Sequence, residues 1–306
     1  NKIAEDNFTW YQKWDKTFEF DMQEAKFKWF PDAKVNITKN CIDRHLNKRG
    51  DKTAIIFEPN DPKEEAEHIT YQDLYHRVAK MANVLQEQGV KKGDRVCIYL
   101  PMIPELAVSV LACARIGAIH SVVFAGFSAS ALASRINDSD CKMVITSDGG
   151  FRGNKIIDLK GIVDEALKDC ACVTSVLVAK RTNEAISMKE GRDQWLAPLL
   201  ENAINTNVAE IMDAEDPLFI LYTSGSTGRP KGMVHTTAGY MVYTAYTFKN
   251  VFAYEEDDVY WCTADIGWIT GHSYILYGPL LNGATTVIFE GVPSYPDYSR
   301  FWEVIE

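Results

Sequence analysis

Short apolar runs alternate with amphipathic stretches along most of this 306-residue chain. The apolar run "TAIIFE" (53–58) has the length of a strand, and the stretch after it (70–89) has the spacing of a helix with one buried face. In that stretch the apolar side chains lie three or four residues apart, at Leu74, Val78, Met81 and Leu85. The continuous run "RVCIYLP" (95–101) is typical of a strand that is covered on both faces.

The same alternation continues through the later segments of the chain. Helical spacing recurs in "PELAVSVLACARIG" (104–117), and strand-like runs recur in "SVLVA" (175–179), "PLFILYTS" (217–224) and "TTVIFEG" (285–291). Repeated strand–helix units predict an α/β fold with mainly parallel sheets that are flanked by helices. In such folds the loops at the carboxyl ends of the strands form the ligand-binding crevice.

The alternation divides the chain into three predicted segments. Residues 1–50 are aromatic and charged with weak periodicity, which predicts an arm whose Trp and Phe side chains anchor it to a core by burial. The polar stretch 180–194 predicts an exposed connection. We therefore expect a first α/β subdomain over 51–190 and the start of a second one over 191–306.

The composition excludes some classes of partner. A net charge of -10 argues against a general nucleic-acid or anionic-membrane surface. Seven cysteines without any CxxC pair favour a reducing compartment, and no apolar run approaches 18 residues. We therefore expect a cytoplasmic protein with small-molecule partners, no nucleic acid and no membrane. Because the sequence starts at Asn1 and ends within a helix-like stretch, we also expect a piece of a longer protein.

One loop stands out, "YTSGSTGRPKG" (222–232), directly after an apolar run. Glycines allow backbone N–H groups to turn toward an anion, while hydroxyls and cations can bind phosphate oxygens. The composition alone also fits a flexible Gly/Ser linker, but the position after a buried strand and the two cations favour phosphate binding. The predicted phosphate contacts in this loop are Thr223, Ser224, Gly225, Ser226, Thr227, Gly228 and Lys231.

This loop is not a Walker A sequence. In that motif the lysine is followed by Ser or Thr and opens a helix. Here Lys231 is followed by Gly232 and Met233. A P-loop NTPase is therefore disfavoured, and the polyphosphate must be held in another way.

The loop resembles the signature of the adenylate-forming enzymes, the family of acyl-CoA synthetases, luciferases and peptide-synthetase adenylation domains. The stretches "CIDRHLNKRGDKTAII", "YLPMIPELAVSVLACARIGAIHSVVFAGFS" and "YWCTADIGWITGHSYILYGPLLNGATTVIFEGVP" resemble the AMP-forming acetyl-CoA synthetases within that family, as does the aromatic arm. The likeness covers almost the whole chain and about the first half of the family's length. It implies the N-terminal subdomains of the adenylate-forming fold.

The resemblance also implies a reaction. Acetate attacks the α-phosphate of MgATP to give acetyl-adenylate and diphosphate, and coenzyme A then displaces AMP to give acetyl-CoA. The implied substrates are acetate, ATP and coenzyme A, with the Mg²⁺ ligand expected after residue 306. A propionate or other short-chain acyl-CoA ligase, and a non-catalytic nucleotide- or coenzyme A-binding module, remain alternatives.

Further site residues are implied by the same resemblance. His272, which alone would be read as a structural histidine, would lie near the triphosphate. The implied acyl pocket consists of Trp268, Ile269 and Thr270. The implied coenzyme A contacts are Phe124, Ala125, Gly126, Arg152, Gly153, Asn154, Lys155, Thr270 and Ser294.

Two positions depart from the family's usual pattern. Lys155 stands where Arg is usual, which replaces a bidentate fork by a point charge. Ser294 stands where Asn is common. Both differences concern the affinity for coenzyme A more than the type of reaction.

No catalytic residue is assigned within this chain. The family's ribose-binding Asp, its Thr-Glu pair, the Trp that shortens the acyl pocket and the catalytic Lys would all follow residue 306. A chain without these groups lacks part of the charge environment that phosphoryl transfer needs. We therefore expect these 306 residues to be inactive by themselves.

Overall fold

The computed structural model describes residues 1–223 and 230–306. The strands are β1 (Phe18–Asp21), β2 (Lys26–Trp29), β3 (Lys34–Val35), β4 (Thr53–Glu58), β5 (Glu67–Thr70), β6 (Arg95–Tyr99), β7 (Ile119–Val122), β8 (Met143–Ser147), β9 (Gly150–Arg152), β10 (Lys155–Ile157), β11 (Ser175–Ala179), β12 (Asp193–Trp195), β13 (Met212–Asp213), β14 (Pro217–Thr223), β15 (Lys231–Thr236), β16 (Val259–Trp261) and β17 (Thr285–Phe289).

Helices connect most of these strands. They are α1 (Lys2–Asn7), α2 (Arg44–Arg49), α3 (Tyr71–Glu87), α4 (Pro104–Arg115), α5 (Ala129–Ser139), α6 (Leu159–Ala166), α7 (Leu196–Asn202), α8 (Thr237–Val251), α9 (Ile269–Gly271), α10 (Gly278–Leu281) and α11 (Arg300–Ile305). Wider π-helical turns span Lys39–Asp43 and His272–Tyr277, and a 3₁₀ turn spans Leu167–Asp169. Within the described ranges, no helix is both long and apolar enough to cross a membrane.

The larger sheet has seven strands in the order β12-β11-β8-β6-β7-β14-β15. All neighbours are parallel except β15, which runs antiparallel to β14 at one edge. Helices α4, α5 and α6 connect β6, β7, β8 and β11 along the chain and pack on the sheet. The predicted α/β fold with mainly parallel sheets is confirmed.

A second sheet has four strands in the order β16-β17-β4-β5. In it, β16, β17 and β4 are parallel, and β5 is antiparallel to β4. The sheet therefore combines residues 53–70 with residues 259–289. Both sheets take strands from each side of residue 190, and the division at residues 50 and 190 stays a prediction.

Local sequence signals explain the helices next to the sheets. At the start of α3, the Thr70 hydroxyl accepts from the Asp73 N–H while the Asp73 carboxylate accepts from the Thr70 N–H, which is a reciprocal capping box. The predicted apolar face of α3 is fully buried at Leu74, Val78, Met81 and Leu85. Pro104 begins α4, where its missing N–H costs nothing, and α4 packs against α3.

The prediction for the N-terminal arm is partly wrong. Phe8 and Phe30 are buried as expected, at 9% and 4% exposure. The hairpin β1–β2, however, exposes its aromatic side chains at Phe18, Phe20, Phe27 and Trp29. They are exposed because the two strands pair only with each other, and the rings pack together instead, with 4.5 Å between the Phe18 and Trp29 centroids.

Candidate functional site

A cavity of about 240 Å³ lies where the carboxyl ends of strands from both sheets meet. It is lined by residues that follow β6, β7, β16 and β17 and by the start of the hairpin β9–β10. These include Pro101, Met102, Phe124, Ala125, Gly126, Gly150, Phe151, Arg152, Cys262, Thr263, Ala264, Asp265, Glu290, Gly291, Val292 and Pro293. The predicted crevice at the strand ends is therefore present.

The cavity brings together two segments that the sequence analysis assigned to coenzyme A. Phe124, Ala125 and Gly126 follow β7, while Arg152 ends β9, and all four line the same space. The Tyr99 side chain supports the loop after β7. Its hydroxyl lies 3.1 Å from the Ala125 carbonyl oxygen and 2.7 Å from the Phe127 carbonyl oxygen. Tyr99 is fully buried, so this support is fixed by the core.

The hairpin β9–β10 presents two cations. Arg152 and Lys155 are directly opposite each other in the ladder, and both side chains are exposed. Gly153 in the turn between them is buried and has φ of 61°, a left-handed conformation that glycine adopts without strain. Gly153 and Asn154 line a separate cavity of about 310 Å³ on the other side of the hairpin.

Other predicted contacts do not line the cavity. Ser294 follows the lining residue Pro293 directly and is exposed. The Trp268 ring lies 6.0 Å from both the Phe124 and Phe127 ring centroids. Thr270 is exposed. Ile269, by contrast, faces a larger groove of about 680 Å³ along α8. The three predicted acyl-pocket residues therefore do not enclose one common space among the described residues.

His272 is fully buried. Its Nδ1 bonds to the Ile266 carbonyl, and its ring packs 4.8 Å from the Phe219 centroid and 5.3 Å from that of His120. Burial lowers the pKa of His272 to about 4, so the imidazole is neutral at pH 7. In this arrangement the ring does not reach solvent, and its role beside a triphosphate stays a prediction.

The predicted phosphate loop is described only at its ends. Thr223 ends β14 and Lys231 begins β15, and the two residues are paired across the antiparallel ladder with both side chains exposed. Lys231 thus opens a strand, whereas a Walker A lysine opens a helix. The remaining predicted contacts lie outside the described residues, namely Ser224, Gly225, Ser226, Thr227 and Gly228.

Comparison with known proteins identifies the family. A family model described as "AMP-binding enzyme" matches residues 42–306, and one described as "Acetyl-coenzyme A synthetase N-terminus" matches residues 1–41. The chain belongs to the AMP-binding enzyme family. The resemblance noted in the sequence is therefore confirmed.

Three curated relatives of this AMP-binding chain are named as acetyl-coenzyme A synthetases. The chain is 57% identical over 303 residues to the acetyl-coenzyme A synthetase of Alkalilimnicola ehrlichii, covering 99% of this chain and 47% of that protein. It is 58% identical over 297 residues to acetyl-coenzyme A synthetase 2 of Pseudomonas aeruginosa, covering 97% and 46%. An acetyl-coenzyme A synthetase of Nostoc linckia is 57% identical over 283 residues, covering 92% and 84%. The chain spans about half the length of the first two.

Asp265 is a residue of this AMP-binding chain to which the sequence analysis gave no role. It follows β16 and lines the cavity, and its Oδ1 accepts a hydrogen bond of 2.6 Å from the Gly267 N–H. Burial raises the pKa of the Asp265 carboxyl to about 6, although the Gly267 N–H and the Arg152 charge oppose the shift. A polar residue just past a strand end was the available signal, since such positions face the crevice.

The described residues form no candidate metal site. Across residues 1–223 and 230–306, no group of three or more His, Cys, Asp or Glu side chains is placed to hold a metal ion. The expected Mg²⁺ is therefore not assigned to any ligand of this chain, and we derive no step through it.

Proposed function

We propose that the natural protein containing this chain is an AMP-forming acetate–CoA ligase. One observation supports this most strongly. A single cavity joins the Phe124–Gly126 loop to Arg152 at the strand ends of two sheets, in a chain that is 57% identical over 99% of its length to a protein named acetyl-coenzyme A synthetase. ATP, acetate and coenzyme A are then the substrates, and Mg²⁺ accompanies ATP.

The reaction has two steps. An acetate oxygen attacks the α-phosphorus of ATP, and the bond to diphosphate breaks to leave acetyl-adenylate. The thiolate sulfur of coenzyme A then attacks the acetyl carbon, and AMP leaves with the bonding electrons. Both steps need fixed positive charge and N–H groups around the phosphates more than covalent help from the protein.

We assign the first step to the loop between β14 and β15. Thr223 and Lys231 stand together at its two ends, so a hydroxyl and an ammonium flank the segment that would clamp the β- and γ-phosphates. The same proposal includes Ser224, Gly225, Ser226, Thr227 and Gly228.

We assign the second step to the cavity and the hairpin β9–β10. The Phe124 ring supplies an apolar surface of the kind on which an adenine can stack, and Arg152 supplies a cation for a phosphate. Lys155, Gly153, Asn154 and Ser294 extend this assignment.

The acyl group would be held near Trp268, Ile269 and Thr270. Because these residues do not enclose one space by themselves, a propionate or other short-chain acyl-CoA ligase is the second candidate. A cytoplasmic location is part of the proposal, since all seven cysteines are free thiols in the structure.

The test is a pair of assays on the natural protein with acetate, propionate and butyrate. ATP–pyrophosphate exchange reports the first step without coenzyme A, and thioester formation reports both steps. We expect acetate to be preferred in both assays. Equal rates for acetate and butyrate would overturn the acetate assignment, and coenzyme A binding without any exchange would favour a non-catalytic module.

The same exchange assay applies to the 306 residues by themselves. We expect little or no acetate-dependent exchange from them. Robust exchange would contradict this expectation while leaving the assignment of the natural protein intact.

A further inference from the structure

The turn that carries Arg152 and Lys155 is held by a side chain from a distant part of the chain. The Asn60 amide Nδ2 donates to the Gly153 carbonyl oxygen at 2.9 Å, and the Gly153 N–H donates to Asn60 Oδ1 at 3.0 Å. One carboxamide therefore satisfies both backbone groups of the turn glycine. Asn60 is only 4% exposed, which limits the competition from water for these bonds, although it borders the cavity of about 310 Å³ next to the hairpin.

The backbone of Asn60 is hydrogen-bonded to a buried ion pair. The Asn60 N–H donates to Glu290 Oε2 at 3.2 Å, and Glu290 takes the Arg181 guanidinium in a fork of 2.9 Å and 2.6 Å. The Glu290 side chain is fully buried. Arg181 also lies over the Phe151 ring, with 4.9 Å to its centroid, so the same guanidinium packs against β9. Bidentate pairs of this kind fix geometry as well as charge.

The turn has little room to move. A Cβ added to Gly153 would lie 3.3 Å from the Tyr295 Cβ and 3.4 Å from the Val292 Cγ2. The turn is thus enclosed on one side by Val292 and Tyr295 and tied on the other by Asn60. The two cations next to it, by contrast, reach solvent. Gly153 is thus buried, and the side chains of Arg152 and Lys155 are exposed.

We infer that Asn60 is a positioning residue for coenzyme A, acting through the cations of the hairpin β9–β10. By fixing Gly153 it sets where Arg152 and Lys155 project, and these two charges then meet phosphates of the coenzyme. Pre-organised cations bind an anion more tightly because their ordering is not left to the binding step. The inference rests on the proposed function, since it assumes that this hairpin binds coenzyme A.

A purely structural role for Asn60 is the competing explanation. Such a role would lower stability and affect both half-reactions alike. A positioning role affects only the step that uses coenzyme A, and only for a thiol substrate that carries the phosphates. The two explanations therefore predict different kinetic patterns.

The experiment uses Asn60→Ala in the natural protein that contains this chain. We expect acetate-dependent ATP–pyrophosphate exchange to stay within about twofold of the parent, and the KM for coenzyme A to rise about tenfold, which is the effect of losing one or two hydrogen bonds that order the site. With pantetheine, a thiol substrate that carries no phosphate, variant and parent should agree within about twofold. In an Arg152→Gln, Lys155→Gln background, Asn60→Ala should add little to the KM for coenzyme A.

Asn282→Ala is the matched control. Asn282 also donates two hydrogen bonds to backbone carbonyls, those of Ala245 and Gly278, but it lies beside α8 and α10. It should lower the thermal midpoint without changing the KM for coenzyme A. If Asn60→Ala does not fold, Asn60→Ser decides, because it keeps a polar side chain at this buried position without adding a charge.

The outcomes separate the two proposals. An active parent with an unchanged KM in the Asn60 variants overturns the inference and leaves the proposed function standing. Equal losses in exchange and thioester formation, or an equal loss with pantetheine, also overturn it. A parent without acetate-dependent exchange overturns the proposed function itself, and the inference with it.

Discussion

Two small hairpins of this chain, β1–β2 and β9–β10, are held in place by different kinds of contact. Both are two-stranded and carry aromatic and cationic side chains, and a hairpin of this kind is marginal by itself in water. The hairpin β9–β10 buries the turn residue Gly153 against Asn60, Val292 and Tyr295. The hairpin β1–β2 exposes its rings and relies on stacking among them and on the Trp29 N–H, which donates to Glu215 Oε1 at 2.6 Å.

The difference shows what each hairpin can be used for. A buried turn has a fixed position, so side chains next to it can be aimed at a ligand. The hairpin β1–β2 is held mainly by its own surface rings, and Trp29 is the ring that also packs against α8, at Gly239. Composition does not distinguish the two, because what differs is the set of distant residues that each one contacts.

The largest effect on stability is expected from removing the ion pair between Glu290 and Arg181, which packs behind β9–β10. Glu290→Ala leaves the Arg181 guanidinium without its main partner, and we expect a loss of about 2–3 kcal/mol in the free energy of unfolding, measured by urea denaturation. Glu256→Ala is the control. Its carboxylate also takes an arginine fork, from Arg49, but is 53% exposed, so the loss should stay below about 1 kcal/mol. Equal losses would contradict the account of β9–β10.

The next test acts on the turn itself. Gly153→Ala should cost about 1–2 kcal/mol from its positive φ, plus an additional cost for the contacts with Val292 and Tyr295. Gly93→Ala is matched, since Gly93 has φ of 83° but nothing within 4 Å of an added Cβ. The difference between the two variants, measured by thermal or urea unfolding, isolates the packing of the turn. No difference would mean that the turn is not tightly enclosed.

A third test concerns the electrostatic link from β9–β10 to the cavity. Burial raises the pKa of Asp265 to about 6, above its unfolded value near about 3.9. The neutral form is thus favoured by folding, so this stabilising contribution is complete below about pH 4 and lost as the pH rises through about 6. Asp265→Asn should accordingly gain stability on the order of 1 kcal/mol at pH 7.5 relative to the parent, and no gain should remain at pH 4.

Arg152 should modify that titration. Its charge lowers the pKa of Asp265, so Arg152→Gln should raise this pKa above about 6. Carbon-13 NMR of the Asp265 carboxyl is the direct measurement. An unchanged pKa would show that the hairpin β9–β10 does not reach the carboxyl electrostatically.

The smallest effect is expected in β1–β2. Phe20 is 62% exposed, so Phe20→Thr should change the free energy of unfolding by no more than about 0.5 kcal/mol. Phe30→Ala, in the same arm but at 4% exposure, should cost about 3 kcal/mol. A large loss from Phe20→Thr in urea denaturation would mean that the exposed rings contribute to stability more than their burial suggests.

The sequence predicted the parts of the fold that depend on local periodicity. The apolar run at 175–179 coincides with β11, and the predicted face of α3 is buried. Periodicity reports burial, however, and not the partner. It therefore did not identify residues 231–236 as the edge strand β15. In residues 1–50, where periodicity is weak, the aromatic content placed the rings of β1–β2 in a core, but the structure exposes them.

The residues of the candidate site were also predicted only in part. Phe124 and Arg152 were identified through the resemblance, and the structure brings both to one cavity. Asn60 was missed because its partner Gly153 is 93 positions away, and an asparagine before a proline-containing turn carries no sign of such a contact. Asp265 was missed because its altered pKa comes from burial, which the sequence does not state.

The pairing of β4 with β17 also has a consequence during synthesis. The Thr285 hydroxyl donates to the Thr53 carbonyl oxygen, 232 positions earlier in the chain. The strand β4 is thus synthesised 232 positions before the strand that covers one of its edges. Until β17 is made, the edge of β4 opposite β5 is unpaired. An unpaired edge of this kind can pair with neighbouring polypeptides unless something covers it.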